Sequence, residues 1–320
     1  MKKVFFITGC AGFIGMHLSL NLLKKKYKVI GVDNINNYYD RSLKIHRINK
    51  LSQFKNFLFY KIDINKLDSI KKIYKKNSCN IIIHLAAQPG VRFSFIKPKV
   101  YLKNNVDFFL NILELVKIFN PKKFIYASSS SVYGGNTKLP FAEKDKTDEP
   151  LSLYAATKKM NELMTYVYHK AYKFETIGLR FFTVYGPYGR PDMSYFKFVK
   201  NILSKNKIKV FNDGNMLRDF TYIEDVIDRI TKIIFLKKKV GYKILNLGNN
   251  NPTKLKKFIQ IIEEKLKIKA IRNNLKMQVG EVKNTISSNE QLKKIIKVKK
   301  FTTLKIGLSK FIDWYKSYYK

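Results

Sequence analysis

Tyr154-Ala155-Ala156-Thr157-Lys158 places a phenol and an ammonium four residues apart, the spacing that brings two side chains onto one face of a helix. A phenol titrates near pH 10 in water and is a poor base at neutral pH. An adjacent ammonium favours the phenolate, which turns the pair into a device for moving protons. In a chain rich in lysine and tyrosine the same spacing also arises as a chance surface pair, so the surroundings have to decide. Upstream, Ala127-Ser128-Ser129-Ser130-Ser131-Val132-Tyr133-Gly134 supplies a run of hydroxyls at the end of an apolar stretch over 124–128. Serine runs also cap turns. At the carboxyl end of a strand in an open α/β sheet, where ligands bind, they can instead hold a sugar and relay a proton to the phenol.

A second constellation tells what sits beside that phenol. The apolar run over 4–7 leads into Gly9-Cys10-Ala11-Gly12-Phe13-Ile14-Gly15, and a helix is expected at once, over 13–25. Gly9 suits the tight turn, and Gly12 the close approach of a pyrophosphate. Gly15 suits the packing of helix on strand, with the N-terminal N–H groups facing the anion. The next strand, over 29–32, ends in Asp33, where a carboxylate can bind a ribose diol and would repel a ribose phosphate. The site is therefore read as one for NAD rather than NADP. Lys158 can then hold the nicotinamide ribose, and the positive nicotinamide adds to the pull on the Tyr154 phenol.

The elements that must carry these residues follow from periodicity. Strand-like runs over 4–7, 29–32, 57–62, 80–85, 124–128 and 176–181 alternate with helical stretches over 13–25, 66–76, 100–119 and 153–172. That alternation predicts parallel βαβ units in a doubly wound, Rossmann-like α/β sheet. Runs such as Ile81-Ile82-Ile83 are apolar on both faces, as strands covered by helices on each side must be. The helix over 153–172 has Met160, Leu163, Met164, Val167 and Ala171 at core-facing spacing, with part of that stripe available as a dimer face. Beyond residue 185 come helices over 194–205 and 222–236, a strand over 243–247, a helix from about 253, and a last helix with Leu308, Phe311, Ile312 and Trp314. Residues 1–180, joined by a returning segment near 215–250, read as the cofactor domain. Residues 181–320 read mainly as a smaller C-terminal α/β lobe for the substrate.

Composition removes other classes. The 320 residues, 45% hydrophobic, can bury a substantial core. No stretch is long and uncharged enough to cross a membrane, and Met1-Lys2-Lys3 leads straight into a strand, so no leader and a cytoplasmic setting are expected. Cys10 and Cys79 cannot form a disulfide framework and are read as small buried hydrophobes. His17, His46, His84 and His169 lack metal-ligand spacing, and no metal is assigned. The formal charge of +40 invites a nucleic-acid reading. The lysines are scattered over every expected helix, however, and accompany an excess of Asn, Ile, Tyr and Phe, all with A/T-rich codons. Genome composition accounts for them together, leaving salt-sensitive, non-specific adhesion to polyanions and some attraction for an anionic substrate.

Taken together, the glycine triplet, Asp33-Asn34, His84-Leu85-Ala86-Ala87, the serine run and Tyr154/Lys158 resemble the extended short-chain dehydrogenase/reductase family of nucleotide-sugar enzymes (the NAD-dependent epimerases and dehydratases). Within it, Asp33-Asn34-Ile35-Asn36-Asn37-Tyr38-Tyr39-Asp40, Ser152-Leu153-Tyr154-Ala155-Ala156-Thr157-Lys158-Lys159 and Leu179-Arg180-Phe181-Phe182-Thr183-Val184-Tyr185-Gly186-Pro187 are most similar to UDP-glucuronate 4-epimerases. Gly189-Arg190-Pro191-Asp192-Met193 and Arg218-Asp219-Phe220-Thr221-Tyr222-Ile223 belong to the same pattern. The resemblance implies that Ser129, Tyr154 and Lys158 are catalytic, that Asp63 and Ile64 flank the adenine, and that Leu85, Ala86, Ala87 and Asn105 line the cofactor. It implies further that Ser130, Ser131 and Thr183 contact the sugar and its carboxylate. Arg92, Arg190 and Arg218 are candidates for the diphosphate and carboxylate, since guanidinium forks suit both anions. A homodimer built by helix packing is also implied.

The chain departs from the family pattern in two places: Pro89 replaces a small residue, and Val279-Gly280-Glu281 stands where Pro-Gly-Asp is usual. Dehydratases of the family carry Asp-Glu at the positions of Ser130-Ser131, and decarboxylating relatives tend to carry an acid beside the catalytic Ser/Thr. Serines at both positions imply epimerisation of UDP-glucuronate to UDP-galacturonate through a transient 4-keto sugar. The alternatives are a 4-epimerase of neutral UDP-hexoses and, in another class, a non-catalytic dinucleotide- or RNA-binding protein.

Overall fold

Phe5 and Ile7 point to one side of the first strand, β1 (Val4–Thr8), while Phe6 points to the other, and all three are fully buried. Side chains alternate along a strand, so a sheet covered on both faces needs apolar residues at every position. The computed structural model describes residues 3–278 and 280–319 and contains that sheet. Its strands are β1, β2 (Lys28–Asp33), β3 (Phe57–Lys61), β4 (Ile81–His84), β5 (Lys123–Ser129), β6 (Thr176–Phe181) and β11 (Tyr242–Leu247). They are all parallel, in the order β11-β6-β5-β4-β1-β2-β3. Winding runs outward in both directions from β1 and β4, which leaves a crevice at their carboxyl ends.

The first half of the sheet is wound by α1 (Phe13–Lys24), α2 (Arg41–Ser52), α3 (Leu67–Lys76), the short α4 (Val91–Ile96) and α5 (Pro98–Tyr101), α6 (Phe108–Phe119) and α7 (Leu153–Tyr172). Where one helix is expected over 100–119, α5 and α6 are joined through a π-helical stretch, Leu102–Asp107. Such widened turns often mark functional ground, and this one carries Asn105. No helix is expected over 41–52, yet α2 forms there, N-capped by Asp40 accepting from the Ser42 amide at 2.8 Å.

After β6 the strands are short: β7 (Thr183–Tyr185) and β10 (Phe220–Tyr222) pair in parallel, as do β8 (Ile208–Phe211) and β13 (Arg272–Leu275). β9 (Leu217–Arg218) and β12 (Thr253–Lys254) pair antiparallel. Around them pack α8 (Ser194–Leu203), α9 (Ile223–Ile234), α10 (Leu255–Leu266), α11 (Glu290–Ile295) and α12 (Leu304–Tyr318). Phe258, Ile262, Leu308, Phe311 and Ile312 join the same core as one face of the main sheet.

The reading of α7 is corrected by its packing. Met160, Leu163 and Val167 are 41%, 54% and 61% exposed, and Ala171 is exposed as well; only Met164 leans on the core. The inward face is instead Ala155, Thr157, Lys158, Asn161, Glu162 and Thr165. The apolar stripe lies opposite because the inner face is occupied by polar groups that serve the end of β5. α6 also exposes Leu110 and Ile118, and the two helices pack side by side.

Ile82 is fully buried in the middle of β4, between β1 and β5. Ile82→Ala should cost about 2–5 kcal/mol of unfolding free energy, read from urea denaturation, because the sheet cannot collapse around the void.

Candidate functional site

The glycine loop has the tight turn and close backbone approach that its spacing predicts. Gly9 has φ +76°, and a Cβ there would meet the Ala86 amide nitrogen at 2.7 Å. A Cβ on Gly15 would lie 2.1 Å from the Gly9 carbonyl oxygen, and one on Gly12 2.9 Å from it. The loop closes at the N-terminus of α1, where Phe13 and Ile14 face the cleft. Asp33, at the end of β2, accepts from the Ala11 amide at 3.1 Å and the Ile35 amide at 2.8 Å. Burial pushes its carboxyl up, and those amides with Lys44 and Arg47 pull it back. Asp33, the acid that would receive a ribose, is thereby tied to the glycine loop.

Asn34, Ile64, Leu85, Ala86 and Ala87 continue the same wall. Asp63 and Asn105 stand beside it. The Asp63 carboxylate accepts from the Asn65 amide at 3.0 Å. Asn105, in the π-helical stretch, accepts from the Gln88 amide at 2.7 Å and donates to the Gln88 carbonyl and to Thr157. It thus joins the segment after β4 to α7 from behind.

The serine run and the Tyr-Lys pair meet where β5 ends. Ser152 caps α7 by accepting from the Ala155 amide at 3.1 Å, which sets Tyr154 in the first turn facing Ser129. Ser129 Oγ accepts from the Ser131 amide at 3.2 Å. Burial raises the Tyr154 phenol above its ordinary value; the hydrogen bond with Ser129 and the charge of Arg190 oppose the rise, and Asp192 adds to it. This differs from the lowering expected from Lys158, whose ammonium is held on the Ala127 carbonyl at 2.9 Å. Burial brings Lys158 down to about 8, with Glu162 one turn further along resisting. His84 faces the same ground and is held near 3 by burial and by Lys158, so it stays neutral.

The remaining candidates line the same cleft. Ser130, Ser131 and Thr183 line the cleft with Tyr154. Arg190 grips Asp192 at 2.5 and 3.0 Å, and the Tyr38 hydroxyl donates to Asp192 at 3.2 Å. Arg92 and Arg218 converge on Glu281, Arg92 in direct ion pair and Arg218 at 4.0 Å. Gly280 and Glu281 therefore belong to the cleft, while Val279 lies outside the described residues. Lys197, Lys207 and Lys209 line the same end, so the pocket becomes strongly positive there.

Sequence reasoning assigns no role to Tyr38, Asp192 or Arg47. Arg47 is fully buried, and its guanidinium donates to the carbonyls of Ala11, Tyr188 and Gly189 and to the Tyr39 hydroxyl at 2.7–3.2 Å. It pins the glycine loop to the loop bearing Arg190. A signal existed: Arg47 is an arginine kept in a chain whose positive charge is almost entirely lysine. All these surfaces enclose one continuous cleft of about 1020 Å³, enough for a dinucleotide and a second nucleotide ligand.

Comparison with known proteins agrees with this geometry. The model of the NAD dependent epimerase/dehydratase family matches residues 5–248. A UDP-glucuronate 4-epimerase of Thermodesulfobacterium geofontis is 44% identical over 313 residues, covering 98% of this chain and 96% of that one. The crystal structure of the Bacillus cereus UDP-glucuronic acid 4-epimerase in complex with UDP-glucuronic acid and NAD superposes with TM-score 0.94 at 34% identity, covering 98% and 99% of the two chains. A UDP-glucose 4-epimerase of Thermotoga maritima superposes with TM-score 0.90 at 25% identity, over 99% and 100%.

Gly9→Ala should abolish retention of NAD, measured by calorimetric titration, since the new methyl group strains a left-handed backbone and strikes the segment after β4.

Proposed function

The chain belongs to the NAD dependent epimerase/dehydratase family, and from that membership we propose that it is an NAD-dependent isomerase converting UDP-glucuronate to UDP-galacturonate. The observation that carries the proposal is that Ser129, Tyr154 and Lys158 share one cleft wall with Ser130, Ser131 and Thr183. This is hydroxyl chemistry beside a proton-transfer dyad, with no carboxylate at the two serine positions.

The residues present fit NAD: the cradle leaves no room for a Cβ at Gly9, Gly12 or Gly15, and Asp33 is presented at the end of β2. Gly9, Gly12, Phe13, Ile14, Gly15, Asp33, Asn34, Ile64 and Leu85–Ala87 would hold the cofactor, with Tyr154 and Lys158 at its reactive end and Asp63 and Asn105 supporting the wall. When bound, NAD supplies a hydride acceptor that lends the hydride back within the same turnover. Tyr154 takes the proton of the 4-hydroxyl and returns it after the 4-keto sugar has turned over, and Ser129 carries the hydrogen bond that orients that exchange. A positive charge near the phenol offsets the effect of its burial, so Tyr154 is a competent base only with the cofactor in place.

The 4-keto uronic acid is a β-keto acid and loses CO2 when its C–C bond aligns with the carbonyl π system. Ser130, Ser131 and Thr183 hold the carboxylate away from that alignment. Arg92, Arg190 and Arg218, which in this structure neutralise Glu281 and Asp192, exchange those acids for the diphosphate and carboxylate of the substrate.

Residues 1–180 with the return near 215–250 form the cofactor half, and 181–320 mainly the nucleotide-sugar half. The exposed apolar face of α6 and α7 is the surface of a homodimer, since Leu110, Ile118, Leu163 and Val167 would otherwise face water. A cytoplasmic setting goes with free, buried Cys10 and Cys79, and a galacturonate nucleotide suits the building of polysaccharide.

Incubation with UDP-glucuronate and product analysis by NMR tests the reading. UDP-galacturonate is the expected product. A UDP-pentose would make the protein a decarboxylase, and turnover of neutral UDP-hexoses alone would make it a hexose epimerase. An inert protein that binds RNA at physiological salt would remove the enzyme reading. Tyr154→Phe should lower kcat by about 10²–10⁴-fold while leaving the Kd for UDP within a few-fold.

A further inference from the structure

Beneath the dyad lies an ion pair that the reaction described above does not use. Glu162 and Arg180 side chains are 5% and 4% exposed, and neither lines the cleft. Arg180 Nε and Nη2 donate to the two carboxylate oxygens at 2.9 and 2.8 Å, and Ser128 Oγ donates to Oε1 at 2.6 Å. Ser128 and Arg180 are register partners on β5 and β6. Glu162 sits one turn beyond Lys158, so Tyr154, Lys158 and Glu162 climb one face of α7 at intervals of four. The pair thus joins α7 to the ends of β5, which carries Ser129, and β6, which leads into Thr183 at the start of β7.

A buried ion pair is not kept for stability alone, because its desolvation offsets much of its attraction. Here its location matters. Lys158 is buried and Tyr154 half-buried on the cleft wall, where a nearby charge is less screened than in bulk water. Facing them are the Ala127 carbonyl and Ser129 from β5, neutral His84 from β4, the Tyr101 ring from α5 and the Arg190–Asp192 pair across the cleft, while Glu143 faces Arg180 and accepts from the Asn246 amide at 2.9 Å. The Arg180 guanidinium lies 4.8 Å from the Tyr133 ring centroid, and the Tyr242 hydroxyl donates to the Glu162 carbonyl at 3.1 Å. Tyr126, buried beside Glu162, stays neutral. With Glu162 and Arg180 both charged, the pair itself adds no net charge under the dyad.

We propose that Glu162 and Arg180 are positioning residues whose mutual neutralisation sets the pH window in which Tyr154 and Lys158 carry the proton. This rests on the proposed epimerase activity. Removing one partner leaves the other charge buried and unopposed. Glu162→Gln leaves a guanidinium, which favours the phenolate and disfavours the ammonium. Both limbs of the bell-shaped kcat profile should therefore move to lower pH, by about one unit. Arg180→Gln leaves a carboxylate, and both limbs should move up by a similar amount. The double variant, neutral again, should return them to the wild-type position.

The experiment is the kcat–pH profile of UDP-glucuronate turnover for wild type, E162Q, R180Q and E162Q/R180Q. Opposite shifts in the single variants, cancelled in the double, are expected. A lower plateau with unmoved limbs, or shifts of the same sign, would show a structural clamp only and overturn the proposal. Should one single variant fail to fold, E162D, which keeps the charge, should leave the limbs in place while the other single variant moves them. Wild-type enzyme inert toward UDP-glucuronate would instead remove the functional reading, so the two failures are told apart.

Discussion

Withdrawing a phenol and an ammonium from water on adjacent turns of one helix is the constraint on which the rest of this structure depends. Burial alone works against both: it raises Tyr154 and lowers Lys158. Each compensation therefore has to be built in from elsewhere in the chain. The Ala127 carbonyl receives the ammonium, Ser129 receives the phenol, and Ser152 fixes the first turn of α7 so that both meetings occur. The parallel sheet supplies those partners because β5 ends where α7 begins its packing. A shift of α7 by one residue would break all three contacts at once.

The same economy explains why the inner face of α7 is polar. Thr157, Lys158, Asn161 and Glu162 occupy the positions a core helix normally gives to leucine. Asn161 donates to the Asn105 carbonyl at 2.6 Å, and Asn105 reaches Gln88 and Thr157 in turn. Through this network the segment after β4, the π-helical stretch and α7 are held as one body. On the far side Arg47 does similar work between the glycine loop and the loop carrying Arg190. The two walls of the cleft are thus fastened by side chains bonded to backbone carbonyls.

Legibility in the sequence follows from the range of each interaction. The glycine loop, Asp33, the serine run and the Tyr-Lys pair are local patterns, and the parallel, doubly wound sheet follows from the alternation of runs. The paired two- to four-residue strands β7 to β10, β12 and β13 are too short for any period to register. α2 hides because its inward residues include Lys44 and Arg47 beside Leu43, Ile48 and Leu51. The stripe on α7 was legible in spacing and misleading in direction, since spacing says that a face is apolar and not what covers it. The partners of Arg47, and the pairing of Glu162 with Arg180, are invisible for a plainer reason: they come together only when the sheet closes.

The central claim is that C4 inverts by lending and recovering its own hydrogen inside one closed cleft. Turnover of UDP-glucuronate deuterated at C4, in ordinary water, with the product examined by NMR, tests it most directly. The deuterium should be retained in full at C4 of UDP-galacturonate. Replacement by solvent hydrogen would show that C4 is deprotonated and reprotonated instead, and would contradict the account.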